Sequence, residues 1–133
     1  MVAHTLNIEP GAKPMVQPRR IFHPNVEAQI VQEIKKLLAA GFIKPIEHPQ
    51  WFSNIVPVKK KNRKIRCCVD FQDLNKVYPK DESPLPNMDL LINSATGHEM
   101  FSFMDGFSDY NQIKMAPRDV AKTTFCTPIR NFY

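Results

Sequence analysis

The chain has 133 residues, room for one ordinary domain, and 43% of them are hydrophobic, enough for a core. It holds no run of eighteen apolar residues, which argues against a membrane-spanning helix, and its first residues, MVAHTLNIEPGAKP, carry no secretory pattern. The net charge of +5 suits a polyanionic partner, while the three cysteines and four histidines lack metal-site spacing.

Residues 1–22 read as an N-terminal arm, dotted with prolines and carrying Arg19 and Arg20 near its end. An extended, partly ordered segment is expected, with a flexible terminus as the plain alternative. His23 to Gly41 carries the clearest helix pattern. Pro24 suits a first helical position, His23 or Asn25 sits near the cap, and Gly41 suits the position just past the end. Val26, Ile30, Ile34, Leu37 and Leu38 recur at spacings of three and four, giving one apolar stripe. The connection from Phe42 to Asn54 contains Trp51, read as packing against the core rather than as a stacking platform.

Ile55 to Lys76 reads as a β-hairpin followed by the start of a helix, with Asn62 marking the turn. Residues 59–66 carry six cations and no acid. Such a run is either a solvated face or a contact for phosphate. Cys67 and Cys68 point to opposite faces if they lie on a strand. Asp70 reads as a cap or as an ion-pair partner for the hairpin bases, and residues 70–75 suit a short helix. A loop with Pro79, Pro84 and Pro86 leads to a second short helix, Asn87 to Ser94, ended by Gly97.

Phe101-Ser102-Phe103 alternates as a half-buried strand does, and the pattern stops at Asp105 beside Gly106. A carboxylate at a strand end next to a glycine can hold a metal ion or can merely accept backbone hydrogen bonds. Ser108 or Asp109 suits the cap of a helical turn carrying Tyr110. A turn from Pro117 to Lys122, a strand from Thr123 to Thr127 and the start of another hairpin complete the chain.

FSFMDGFSDYNQIKM resembles the first catalytic block of reverse transcriptases from Gypsy-type long-terminal-repeat retrotransposons, especially plant ones. GFIKPIEHPQWFSNIVPVKKK, RKIRCCVDFQDLNK, SPLPNMDLL and KTTFCTP resemble further blocks of that family in the same order. The resemblance implies an α+β fold, part of a polymerase right hand. Residues 1–22 would be an arm, 23–79 the fingers with helix and basic hairpin, 80–113 the start of the palm, and 114–133 a return to the fingers. The implied activity is that of an RNA-directed DNA polymerase, with RNA or DNA template-primer, deoxynucleoside triphosphates and the rest of the polymerase as partners. No membrane is implied, and the location would be intracellular.

On the family pattern Asp105 is a catalytic, metal-binding aspartate, with Mg²⁺ or Mn²⁺ as cofactor. Lys60 and Arg66 hold the triphosphate. Phe107, Ser108 and Asp109 line the nucleotide site, and Tyr110 is the aromatic gate under the sugar. Two ions would stabilise the attacking and leaving oxygens of nucleotidyl transfer. The family's second block, a pair of adjacent aspartates, is absent from these residues, so the fragment alone is expected to be inactive. A non-catalytic, basic nucleic-acid-binding remnant is the alternative. Asp109 stands where the family has Gly, Gln72 where Arg is common, and Arg118 where an acid is common.

Overall fold

The structure, a computed structural model, describes residues 3–80, 84–106 and 109–133, with Asp109 and Tyr110 described for their backbone alone. The chain forms two compact units, Met1–Pro79 with Ile113–Tyr133, and Lys80–Gln112.

In the first unit the apolar stripe forms helix α1, Pro24–Ala39. His23 caps it, its Nδ1 accepting from the Asn25 N–H at 3.4 Å. At the other end the Gly41 N–H donates to the Leu38 carbonyl and the Phe42 N–H to the Leu37 carbonyl. That pair of bonds closes the last turn and requires the left-handed φ of +74° that Gly41 adopts. Ile30 and Ile34 are buried, whereas Leu38 lies off the packed face and is exposed.

Strand β1, Ser53–Lys59, pairs antiparallel with β2, Ile65–Val69, in a register running from Ile55 opposite Val69 to Lys59 opposite Ile65. Strand β3, Phe125–Cys126, lies parallel to β1, and β4, Asn131–Phe132, lies antiparallel to β3. The sheet order is β2-β1-β3-β4. Ile30 and Ile34 of α1 pack with Ile43, Ile55, Phe125 and Phe132, while Cys67 and Val69 pack against this core. Strand alternation therefore puts Ile55, Cys67 and Val69 on the core face and Val56, Cys68, Val58 and Arg66 on the other. Trp51 is buried at the start of the sheet, which makes it a packing residue. A helix α2, Gln72–Val77, follows β2.

The arm is docked. The His4 N–H donates to the Lys114 carbonyl, and His4 accepts from the Ala116 N–H. Farther on, the Gln17 N–H donates to Phe52, whose own N–H donates to Met15. Between these points the Leu6 N–H donates to Asp119 Oδ2 at 2.9 Å.

The second unit holds helix α3, Met88–Ala95, capped by Asn87, and the four-residue helix α4, Asp109–Gln112. The strand expected over Phe101-Ser102-Phe103 does not form. Residues 101–106 are exposed and in no ladder, so Asp105 does not stand at a strand end. The alternating pattern is present, but a strand needs a neighbour for its N–H and C=O groups, and none pairs with it among the described residues. The Phe101 and Phe103 rings stack on each other, centroids 6.3 Å apart.

Candidate functional site

The basic hairpin tip is built by a three-residue loop. The Lys60 N–H donates to the Lys64 carbonyl at 2.8 Å, and the Arg63 N–H to the Lys60 carbonyl at 3.0 Å. Asn62 Oδ1 accepts from the Lys64 N–H at 3.2 Å, holding the turn. Arg63 takes a left-handed φ of +62°, the position a glycine usually fills in such loops. Lys59, Lys60, Lys61, Arg63, Lys64 and Arg66 are all exposed. Among the described residues none of them pairs with an acid.

The Lys60–Lys64 bond extends the β1–β2 ladder by one step beyond Lys59. Alternation then puts Lys60 on the same face as Arg66, diagonally across the hairpin, with their Cα atoms roughly 7–8 Å apart. Two cations at that spacing, presented to solvent by a rigid ladder, can contact neighbouring oxygens of one polyphosphate. Arg supplies a planar fork of donors and Lys a mobile point charge.

Asp70 does not serve the hairpin bases. Its Oδ2 accepts from Arg20 of the arm at 3.1 Å, and its Oδ1 accepts from the Gln72 N–H at 3.3 Å, as a cap would. The tip cations draw no partner from Asp70, whose carboxylate is committed to the arm and to the start of α2.

At the base of the hairpin the Asp70 N–H donates to the Asn54 carbonyl, closing the last pair of the ladder. Gln17 sits on that pair. Its Nε2 donates to the Asp70 carbonyl and to Asp73 Oδ2, both at 3.1 Å. Its Oε1 accepts from the Asn54 N–H at 2.9 Å and from Asn54 Nδ2 at 3.2 Å. Asn54 also donates to the Pro18 carbonyl and accepts from the Arg20 N–H. Bonds from Lys76 and then Gln17 hold the Asp73 carboxyl below the usual carboxylate range. No sequence pattern marks Gln17 or Asn54, because their partners lie far away along the chain.

Asp105 lies in the second unit and is exposed. Among the described residues no group of three or more His, Cys, Asp or Glu could hold a metal ion. A lone, exposed carboxylate does not fit a complete divalent-metal site. Phe107 and Ser108 lie outside the described residues, as do the side chains of Asp109 and Tyr110. The backbone of Asp109 and Tyr110 belongs to α4, in line with the expected helical turn. No helix among the described residues is long and apolar enough to cross a membrane.

No family model matches the chain. It is 33% identical over 110 residues to the retrovirus-related Pol polyprotein from transposon opus of Drosophila melanogaster, covering 77% of this chain and 11% of that protein. It is 32% identical over 98 residues to the Pol polyprotein from transposon gypsy of the same fly, covering 70% and 10%. It is 34% identical over 68 residues to an RNA-directed DNA polymerase homolog of Oenothera berteroana, covering 51% and 48%. The chain thus spans about a tenth of the length of the Pol polyproteins it matches. Insect elements stand among these relatives beside plant ones, so the similarity is not specific to plants. In fold it resembles the prototype foamy virus protease-reverse transcriptase, with a TM-score of 0.73 at 16% identity, over 98% of this chain and 17% of that one. The chain is a homologue of a segment of the retrotransposon and retrovirus-related Pol polyproteins, Gypsy among them, with a mixed α+β fold similar to that of a reverse transcriptase.

Proposed function

We propose that the chain is the N-terminal part of an RNA-directed DNA polymerase domain, and that its basic hairpin grips the triphosphate of an incoming deoxynucleotide through Lys60 and Arg66. The observation that carries this is the pair of exposed cations on one face of the hairpin, neither of them in an ion pair among the described residues. In this reading residues 23–79 and 114–133 form the fingers, residues 1–22 an arm along them, and residues 80–113 the start of the palm. Template-primer and the rest of the polymerase are the partners, inside the cell. Leu85, Phe103 and Met104, each more than nine-tenths exposed, suit burial by further polymerase chain.

Asp105 is assigned as one ligand of a Mg²⁺ or Mn²⁺ site whose other carboxylates are not among the described residues, and no step is derived through it. Phe107, Ser108 and Asp109 are assigned to the nucleotide site, with Tyr110 under the sugar, on sequence resemblance alone. The exposed, basic hairpin favours a second reading of these 133 residues taken by themselves, a non-catalytic nucleic-acid-binding module.

Fluorescence anisotropy with labelled DNA tests the hairpin. If about three phosphates are neutralised, log K falls against log salt with a slope of roughly −3 on a duplex. Replacing Lys59, Lys60, Lys61 and Arg66 with Ala is expected to abolish most of that slope, and unchanged binding would remove the hairpin from the account. Primer extension tests the non-catalytic reading of the isolated chain. No product is expected, and extension that vanishes in Asp105→Ala would sink the non-catalytic one.

A further inference from the structure

We propose that Gln17 is a positioning residue, locking the base of the hairpin so that Lys60 and Arg66 are held in register for phosphate. The inference rests on the hairpin reading above and adds a device that controls it.

The Gln17 amide is saturated. A glutamine side chain offers two N–H donors and a carbonyl with two lone pairs. Both donors are used, on the Asp70 carbonyl and Asp73 Oδ2, and both lone pairs are used, by the Asn54 N–H and Nδ2. Turning the amide over would set its oxygen against two oxygens and its nitrogen against two N–H donors, so a single orientation is fixed. One side chain of the arm therefore binds both strands at the last rung of the ladder and also the first turn of α2. The Arg20 N–H on Asn54 Oδ1 and the Arg20 side chain on Asp70 Oδ2 fasten the same rung.

The rung and the cations lie at opposite ends of one ladder. Asn54 and Lys60 are six residues apart on an extended strand, roughly 20 Å. A swing of roughly 10° about the base would carry the tip roughly 3–4 Å at that distance. Binding geometry tolerates about 0.5 Å. A slack base therefore costs phosphate contacts even though every cation is still present. Core packing holds the hairpin through its other face, by Ile55, Cys67 and Val69, while the face that carries Asn54, Asp70, Lys60 and Arg66 is fastened at its base by the arm.

The test measures the affinity of the whole chain for a fluorescein-labelled single-stranded DNA oligonucleotide across a salt series, with thermal unfolding to fix the folded fraction. Gln17→Met keeps length and charge and removes all four bonds. Affinity per folded molecule is expected to fall roughly three- to tenfold, the worth of about one hydrogen bond at the base. The salt slope is expected to flatten by up to about 0.7, the share of one phosphate contact on a single strand, although every cation is still present. A purely structural role would lower the melting temperature and leave the affinity of the folded molecules alone, and that result would overturn the proposal. Should Gln17→Met fail to fold, Gln17→Glu decides. It keeps the acceptor for Asn54 and loses both donations, and the exposed Gln72→Glu controls for the added charge. Weaker binding by Gln17→Glu than by Gln72→Glu is expected, and equal binding overturns the proposal. Binding that survives loss of the four hairpin cations would defeat the hairpin reading itself, and the role of Gln17 with it.

Discussion

Besides Asp73, two further side chains of the first unit carry protonation states set by their surroundings. Cys67 lies on the core face of β2, and burial, then Glu33, then Cys68 push its thiol up to about 11. The thiolate is the reactive form, so at pH 8.5 only roughly 0.3% of Cys67 would be reactive. In a Cys68→Ser, Cys126→Ser variant, labelling of Cys67 by iodoacetamide is expected to be at least tenfold slower in the folded chain than in urea. Equal rates would show that burial does not protect it. Asp119 is the other case. It is 1% exposed and accepts from Lys122 Nζ at 2.7 Å and from the Leu6 N–H at 2.9 Å. Lys122 chiefly, with the Leu6 N–H and Arg118 adding to it, holds its carboxyl below the usual range against the opposing effect of burial. A depressed carboxylate contributes its full stability above the ordinary aspartate value of about 3.9 and loses it as pH falls through the lower folded value. Asp119→Ala is therefore expected to cost on the order of 2 kcal/mol at pH 7 and to matter less as the pH is taken progressively below the ordinary aspartate value. A cost that grows on acidification would contradict this sign.

At the scale of elements, α1 shows how much local sequence can dictate. Its stripe, its Pro24 start and its glycine stop all lie within a stretch of nineteen residues, His23 to Gly41. Gly41 is needed for its φ rather than for space, since a Cβ built there meets nothing within 4 Å. Gly41→Ala is thus expected to destabilise the chain by about 1 kcal/mol, the cost of a left-handed alanine. A loss several times larger in a urea titration would reveal a packing role that the geometry does not contain. The hairpin was legible in the same way, through its alternation and Asn62, and its tip is where the residues placed it. The segment around Asp105 was not. Phe101, Ser102 and Phe103 alternate as a strand should, yet alternation states only which faces a strand would show. Whether it forms depends on a neighbour that supplies hydrogen bonds.

The two units differ in how their apolar side chains are used. The first buries Ile30, Ile34, Ile55 and Phe132 nearly completely, whereas among the described residues of Lys80–Gln112 none is buried. Leu85, Leu90, Leu91, Phe101 and Phe103 are exposed chymotrypsin sites in that second unit. Limited chymotrypsin digestion is expected to cut first between residues 80 and 112 and to leave the first unit as a nicked but folded body. First cuts within α1 or the β1–β2 ladder would reverse the ranking of the two units.

By itself the sequence determined the helix, the basic hairpin and the identity of the cations at its tip. Each of these is set by propensity, periodicity and turn chemistry over a few neighbouring residues. The likeness to polymerase blocks also lay in the sequence, as strings of residues. Tertiary structure alone decided where Asp70 spends its charge and that the arm is docked rather than loose. It also decided that Gln17 closes the hairpin base and that the C-terminal strands return beside β1. Those contacts join residues 34 to 113 positions apart. No local rule encodes them, because they depend on which backbone groups the folded core brings within hydrogen-bonding distance.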